Sequence, residues 1–341
     1  MFKYIFLPLF LICNFISINC QQGYLINETN RLKFFSVENK GLDFHPSIIS
    51  QDFDRDSSKQ SFSKRINPIF DLSTLIGMDN KTLISSRLGG LFDFNVSEKL
   101  KGNISIYDHS FALPDFLKDL SDSLNFVPKY GNSYYNKENI FSTLNIRGNI
   151  VYRPYSFLAI SVGNDKHFIG NGHRSLFLSD NSGSYPYFST SLKIWHVQYQ
   201  SMTTFLKDIY YDDSLNFSYK RKFATLHYIS WNITRSINLN LFEAVLWRGS
   251  DSVLYNGMNI NYLNPVIFMR PVEYSQGSTD NAILGAGLNF MIGKKMMFFS
   301  QAILDEFYVK EIKNKDYRDN KFGFQLGLKG AVKRLNIFPT H

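Results

Sequence analysis

Between Ser161 and Asp180 the chain gathers Asp165, Lys166, His167, His173 and Arg174 around two glycines, Gly170 and Gly172. One acid and two histidines invite a metal ion, but their spacing matches no standard zinc motif. The only cysteines, Cys13 and Cys20, lie at the far N-terminal end. Neither a metal nor a cofactor is therefore expected. The glycines permit a tight loop or a close backbone approach, which would hold Lys166, His167, His173 and Arg174 in a fixed arrangement. Lysine and arginine there could meet the carboxylates of an acidic glycan, arginine through paired hydrogen bonds. In the alternative reading Asp165 pairs with Arg174 or another cation and simply braces the loop.

A second group follows the strand-breaking pairs Asn264-Pro265 and Arg270-Pro271, where Arg270, Glu273 and Asp280 suggest an inward-folded loop braced by an Arg270–Glu273 pair. Trp195, Trp231 and Trp247 offer flat faces to sugar rings, with Trp195 and Trp247 the candidates for glycan contact. Anchoring at a membrane interface explains such residues equally well. No catalytic set assembles. Ser179-Asp180-Asn181 echoes a β-lactamase element but lacks its companion motifs in order. Asp305 and Glu306 point to opposite faces of a strand, so by themselves they form no glycosidase pair. The expectation is a non-enzymatic protein, with an exported polysaccharide hydrolase as the alternative.

The elements that must position these groups are strands. The 341 residues carry 16% aromatics and a mean hydropathy of −0.18, and no stretch after the N-terminus supplies the ~20 apolar residues of a spanning helix. Residues 1–20 read as a secretory signal, with Lys3 before the apolar run Tyr4 to Ile18 and cleavage after Cys20. Acylation of Cys20 is the competing outcome. The mature chain then has no disulfide chemistry, so backbone ladders must hold it together. The formal charge of +8 forms no long basic block, which does not indicate a nucleic-acid partner. Asn-x-Ser/Thr triplets such as Asn95-Val96-Ser97 are expected by chance in so Asn- and Ser-rich a chain.

Residues 21–78, with Pro46, Pro68 and a charged run, are expected to form an irregular periplasmic or plug-like segment. Period-two alternation begins after Lys81. Leu144, Ile146, Ile150 and Tyr152 alternate with Thr143, Asn145, Arg147 and Asn149 in a run of bilayer-crossing length. Further strands are expected at Tyr155–Val162 (after an Arg153-Pro154 corner), Leu192–Thr203, Lys222–Trp231, Ile237–Trp247, Ala282–Ile292, Met296–Leu304 and Phe322–Leu328. That makes about ten to twelve. Their length, uncharged polar faces and aromatic ends favour an antiparallel transmembrane β-barrel over a soluble sandwich.

The run from Ser161 to Asp180, the run from Tyr262 to Tyr274 with Gly277 to Ala282, and Leu304-Asp305-Glu306-Phe307 resemble the Wzi-type capsule assembly family. The similarity is to its Bacteroidetes branch, which includes the gliding-motility protein RemB. It extends from about Leu75 to Leu328. It implies an outer-membrane barrel of about eighteen strands, without catalytic residues, that handles acidic surface polysaccharide or serves a gliding assembly. Partners would be that glycan, outer-membrane lipid, and capsule-export or gliding proteins. The chain departs from the pattern at its end. The expected strand region is 79–329 and residues 330–341 form an aberrant tail, so a truncated copy or a smaller barrel is expected.

Overall fold

The computed structural model describes residues 45, 63–76, 82–113, 115–124, 126–127, 130–131, 133, 135–137, 140–172, 174–213, 218–249, 260–263, 281–293, 296–305 and 321–330. The signal segment, His173, Arg270, Glu273, Asp280 and the tail beyond Gly330 lie outside them.

Thirteen strands form one antiparallel sheet: β1 Ser63–Ile76, β2 Thr82–Ser97, β3 Leu100–Ala112, β4 Tyr135–Lys137, β5 Ile140–Tyr155, β6 Leu158–Asp165, β7 Tyr185–Ile194, β8 Val197–Asp213, β9 Ser218–Asn232, β10 Ile237–Arg248, β11 Asn281–Ile292, β12 Met296–Asp305 and β13 Lys321–Gly330. Twelve follow one another in chain order as a meander, and β4 pairs with β5 beside the path. The all-β antiparallel expectation is met. Among the described residues β1 and β13 are the sheet's edges. One helix, α1 Asp115–Leu124, and a 3-10 turn, Ile260–Leu263, complete the described elements. No described helix is long and apolar enough to cross a membrane.

The connections sort by end. Turns 98–99, 156–157, 195–196, 233–236 and 293–295 close one end of the sheet. The other end carries 77–81 and 214–217 together with the longer connections 113–139, 166–184, 249–280 and 306–320. Short turns on one side and long loops on the other is the arrangement of outer-membrane barrels, whose long loops are extracellular.

The two faces are inverted relative to a soluble sheet. The inner face, on which segment 166–184 packs, buries Ser105, Thr143, Asn145, Ser161, Ser189, Gln200, Asn240, Asn289 and Gln301. The outer face leaves large apolar groups in the open, from Ile66 at 77% exposed in β1 to Phe324 at 75% in β13. Tyr152, Tyr155, Trp195 and Trp231, all exposed, gather at the short-turn end, where Tyr155 stacks on Phe157 at 5.3 Å between ring centroids. Tyr228, by contrast, faces inward, and its hydroxyl donates to Asn240 Oδ1 at 2.6 Å.

Four sequence expectations are corrected. The irregular segment 21–78 contains β1, whose Pro68 is compatible with a strand because β1 is an edge. Arg153-Pro154 is no corner: β5 runs through it to Tyr155, with an irregularity in register between Tyr152 and Tyr155. Leu192–Thr203 is not one strand, since Trp195, at φ 53°, turns the chain between β7 and β8. Finally, α1 was not anticipated. Its Leu117 packs on the inner-face cluster of Phe111, Leu113, Val127 and Phe141.

Candidate functional site

The site grows from the loop end of β5 and β6. Register puts Gly148 opposite Asn164, so Arg147 and Asp165 stand side by side one step further toward the loops. Arg147 Nε donates to Asp165 Oδ1 at 2.7 Å, and the adjacent guanidinium nitrogen donates to the same oxygen. The backbone N–H of Lys166 also donates to Asp165 Oδ1, at 2.7 Å. Asp165 thus fixes the point where β6 ends and segment 166–184 begins. Its partner is Arg147, a cation of the sheet wall, rather than Arg174. From there the Lys166 ammonium reaches the face of Tyr130, 5.8 Å from the ring centroid. Burial pushes the Tyr130 phenol above its ordinary range, partly offset by the Arg87 charge.

Segment 166–184 then fills the inner face. Phe177 and Ile169 join Tyr185, Tyr187, Met202, Leu226, Tyr228 and Phe242 in an apolar cluster, with Phe177 stacked on Phe242 at 5.2 Å. Ser175 and Leu176 bond to Gln301 of β12, and Gln325 of β13 donates to the carbonyl of Arg174 at 3.1 Å. The two glycines sit where this approach is tightest. A Cβ on Gly170, whose φ is +153°, would lie 2.2 Å from Ser175 Oγ. One on Gly172 would lie 2.5 Å from both the Arg174 carbonyl oxygen and Gln325 Nε2. Between them Asn171 starts a chain of buried amides: it donates to Asn289 (2.7 Å), Asn289 to Asn238 (2.9 Å), and Asn238 to Asn232 (2.7 Å). His45, from the N-terminal segment, reaches the same region through Ser230 at 2.8 Å.

The candidate residues separate on this frame. Lys166 and His167 lie at the loop end, and the Arg174 side chain is exposed on the plugging segment. His167 is wedged edge-on against Tyr187 at 4.1 Å, with its Nδ1 buried and without a hydrogen-bond partner among the described residues. It lies outside the strands, and burial draws its pKa down to about 4, with Asp165 pulling the other way and Arg147 adding to the fall. That makes it a neutral packing group rather than a cation for a glycan. Trp195 is at the opposite, short-turn end. Trp247 is at the loop end but on the outer face, buried against Phe223 and Tyr262. Neither tryptophan joins Lys166 and Arg174. Sequence reasoning missed Tyr130, the amide chain and the bracing role of Arg147. Arg147 was visible as the one charge in an otherwise Thr/Asn face. The amides had no local signal, because they meet only across strands.

No family model and no curated protein matches this chain. Among solved structures it is similar to the NanC porin, at 8% identity over 73% of this chain and 94% of that one, with a TM-score of 0.34. The CymD monoaromatic hydrocarbon channel gives 10% identity, 80% of both chains and 0.35. An anion-selective porin from Comamonas acidovorans gives 11% identity, 80% of this chain, all of that one, and 0.32. Likenesses at this level carry no argument about function, which rests on the geometry above.

Proposed function

We propose that this chain is an outer-membrane β-barrel protein that holds acidic surface polysaccharide at its loop-end mouth, in capsule assembly or a gliding-associated surface structure. It acts without catalysis. What supports the membrane placement is the inverted sheet: an apolar outer face, a polar inner face and strands of up to 17 residues. What supports an anionic ligand is the inner-face charge. By register Arg65, Arg87, Lys101, Arg147, Lys193, Lys222, Arg248, Lys321 and Lys329 share that face with Asp71, Asp93, Asp165 and Asp305. The single observation that carries the reading is this cationic excess, continued by Lys166 at the long-loop end and by the exposed Arg174 beside Gln325, midway along β13. A polyanion threaded there would gain ion pairs that salt screens.

The test is binding of purified acidic polysaccharide to the refolded protein across a salt series. Affinity that falls as salt rises is expected. No binding at low salt by a heat-modifiable, folded sample would refute the reading. The hydrolase alternative gains no support from Asp165, whose carboxylate is engaged by Arg147. Incubating the same sample with the polysaccharide and finding no shortening of the chains is the expected result.

A further inference from the structure

The two ends of the sheet differ in charge. Within four residues of the loop end, the meander strands hold Lys220, Arg221, Arg248 and Lys321 against Asp165, Asp212, Asp213 and Asp305. The same span at the short-turn end holds Lys64 and Arg65 of β1, Lys101 of β3, Arg153 of β5, Lys193 of β7 and Lys329 of β13, and no acid. The turns add Lys99 and Arg235 against Glu98, the one acid at this end among the described residues.

Three of these cations lie outside the lumen. Lys64 shares the outward parity of Ile66, Phe70 and Leu72 and is itself exposed. Lys99 and Arg235 are exposed on turns that a neighbouring hydroxyl fixes. Ser97 Oγ accepts from the N–H groups of Lys99 and Leu100 at 3.2 and 3.1 Å, and Thr234 Oγ1 from those of Ser236 and Ile237 at 3.2 and 3.0 Å. Each turn is flanked by an open apolar group, Val96 at 47% exposed near Lys99 and Ile233 at 45% near Arg235. The exposed Tyr152, Tyr155, Trp195 and Trp231 stand at the same end, where an aromatic girdle meets the headgroups. Arg65, Lys101, Lys193 and Lys329 face the lumen by parity and add to the positive field of the same rim.

We propose that the short-turn rim binds anionic phospholipid headgroups of the periplasmic leaflet, with Lys64, Lys99 and Arg235 as its phosphate contacts. A fixed cation beside an apolar flank fits a lipid, in which phosphate and acyl chain lie side by side. A soluble polyanion would gain nothing from Val96, Ile233 or the aromatics. Basic groups close to an anionic bilayer surface draw its lipids by an attraction that salt screens. This inference rests on the membrane reading above.

The test uses W247F, which leaves Trp195 and Trp231 of the rim as the emitting tryptophans. The protein is folded into vesicles of phosphatidylglycerol and phosphatidylcholine in equal parts, with one lipid or the other brominated. The ratio of the two quenching efficiencies reads the lipid composition at the rim. Phosphatidylglycerol is expected to be enriched about three-fold at low salt, and the enrichment to vanish at high salt. K64Q/K99Q/R235Q in the same background is expected to abolish it at an unchanged heat-modifiable shift. Equal quenching by both lipids in W247F at low salt overturns the proposal and leaves the membrane reading standing. Quenching by neither overturns the membrane reading and the proposal with it. Enrichment that survives K64Q/K99Q/R235Q overturns the assigned contacts, and its loss in K101Q/K193Q instead would place the anion on the lumen side.

Discussion

Arg147 and Asp165 lock the loop end of β5 to that of β6, with the guanidinium and the Lys166 backbone N–H converging on one carboxylate oxygen. The two side chains are 11% and 19% exposed, so the pair is shielded but not dry. It sets the exit direction of the segment that fills the inner face, and the site's geometry follows from it.

Removing one partner tests this. Asp165→Asn removes the carboxylate charge facing Arg147 and weakens the hold on Lys166. The expected loss is about 1–3 kcal/mol, less than the ~3–5 kcal/mol for breaking a fully buried pair. Faster proteolysis within 166–184, at an unchanged heat-modifiable shift, is the expected pattern. An unchanged cleavage rate would show that the brace is not what fixes the segment.

The glycines differ in what they tolerate. Gly172→Ala forces a Cβ against the Arg174 carbonyl and Gln325, and should cost about 1–3 kcal/mol in thermal unfolding. Gly183, whose nearest neighbour to an added Cβ is 3.7 Å away, should accept alanine within about 0.5 kcal/mol. Equal effects at both positions would contradict the close approach at β13.

Acid should loosen the plugging segment through His167. Its folded pKa of about 4 lies below the ordinary 6.5, so folding favours the neutral ring. The stabilisation is complete above pH 6.5 and is lost as the pH falls toward 4, up to about 3 kcal/mol by linkage. Protection of 166–184 from protease should drop between pH 6.5 and 4 in the parent protein and change much less in His167→Gln. A parent protein whose protection is flat across that window would sink the prediction.

Glycan affinity should respond to position rather than residue type. Arg174→Gln removes an exposed cation of the plugging segment and should weaken binding about three- to ten-fold at low salt, corresponding to about 0.7–1.4 kcal/mol. Trp195→Phe, at the short-turn end, should leave affinity unchanged. Loss on Trp195→Phe without loss on Arg174→Gln would move the binding site to the other end of the sheet.

Much of the sheet was legible because its alternation is regular. The expected bounds of the strands that became β10, β11 and β12 differ from the structure by one residue, and Gly293 with its positive φ marks the turn between the last two. The misses have physical causes. The turn at Trp195-His196 contains none of the residues that usually announce one. Pro68 reads as a breaker unless β1 is known to be an edge. Thr225, His227 and Glu243 lie by register on the face opposite to Tyr228 and Phe242, which the rule that a barrel's outside is apolar does not foresee. At the site, the glycine pair and Asp165 were readable locally. Trp195 and Trp247 were not separable from Lys166 and Arg174, because only register and face place them apart.

The most direct measurement is heat-modifiability of the chain in a carbonate-washed outer-membrane fraction. The inverted sheet predicts a band that resists the wash and shifts in mobility on boiling, because unpaired strand edges facing lipid cost several kcal/mol per backbone group and must be covered. A chain extracted by carbonate, or one whose mobility ignores boiling, would contradict a membrane-spanning barrel and with it the glycan-holding mouth.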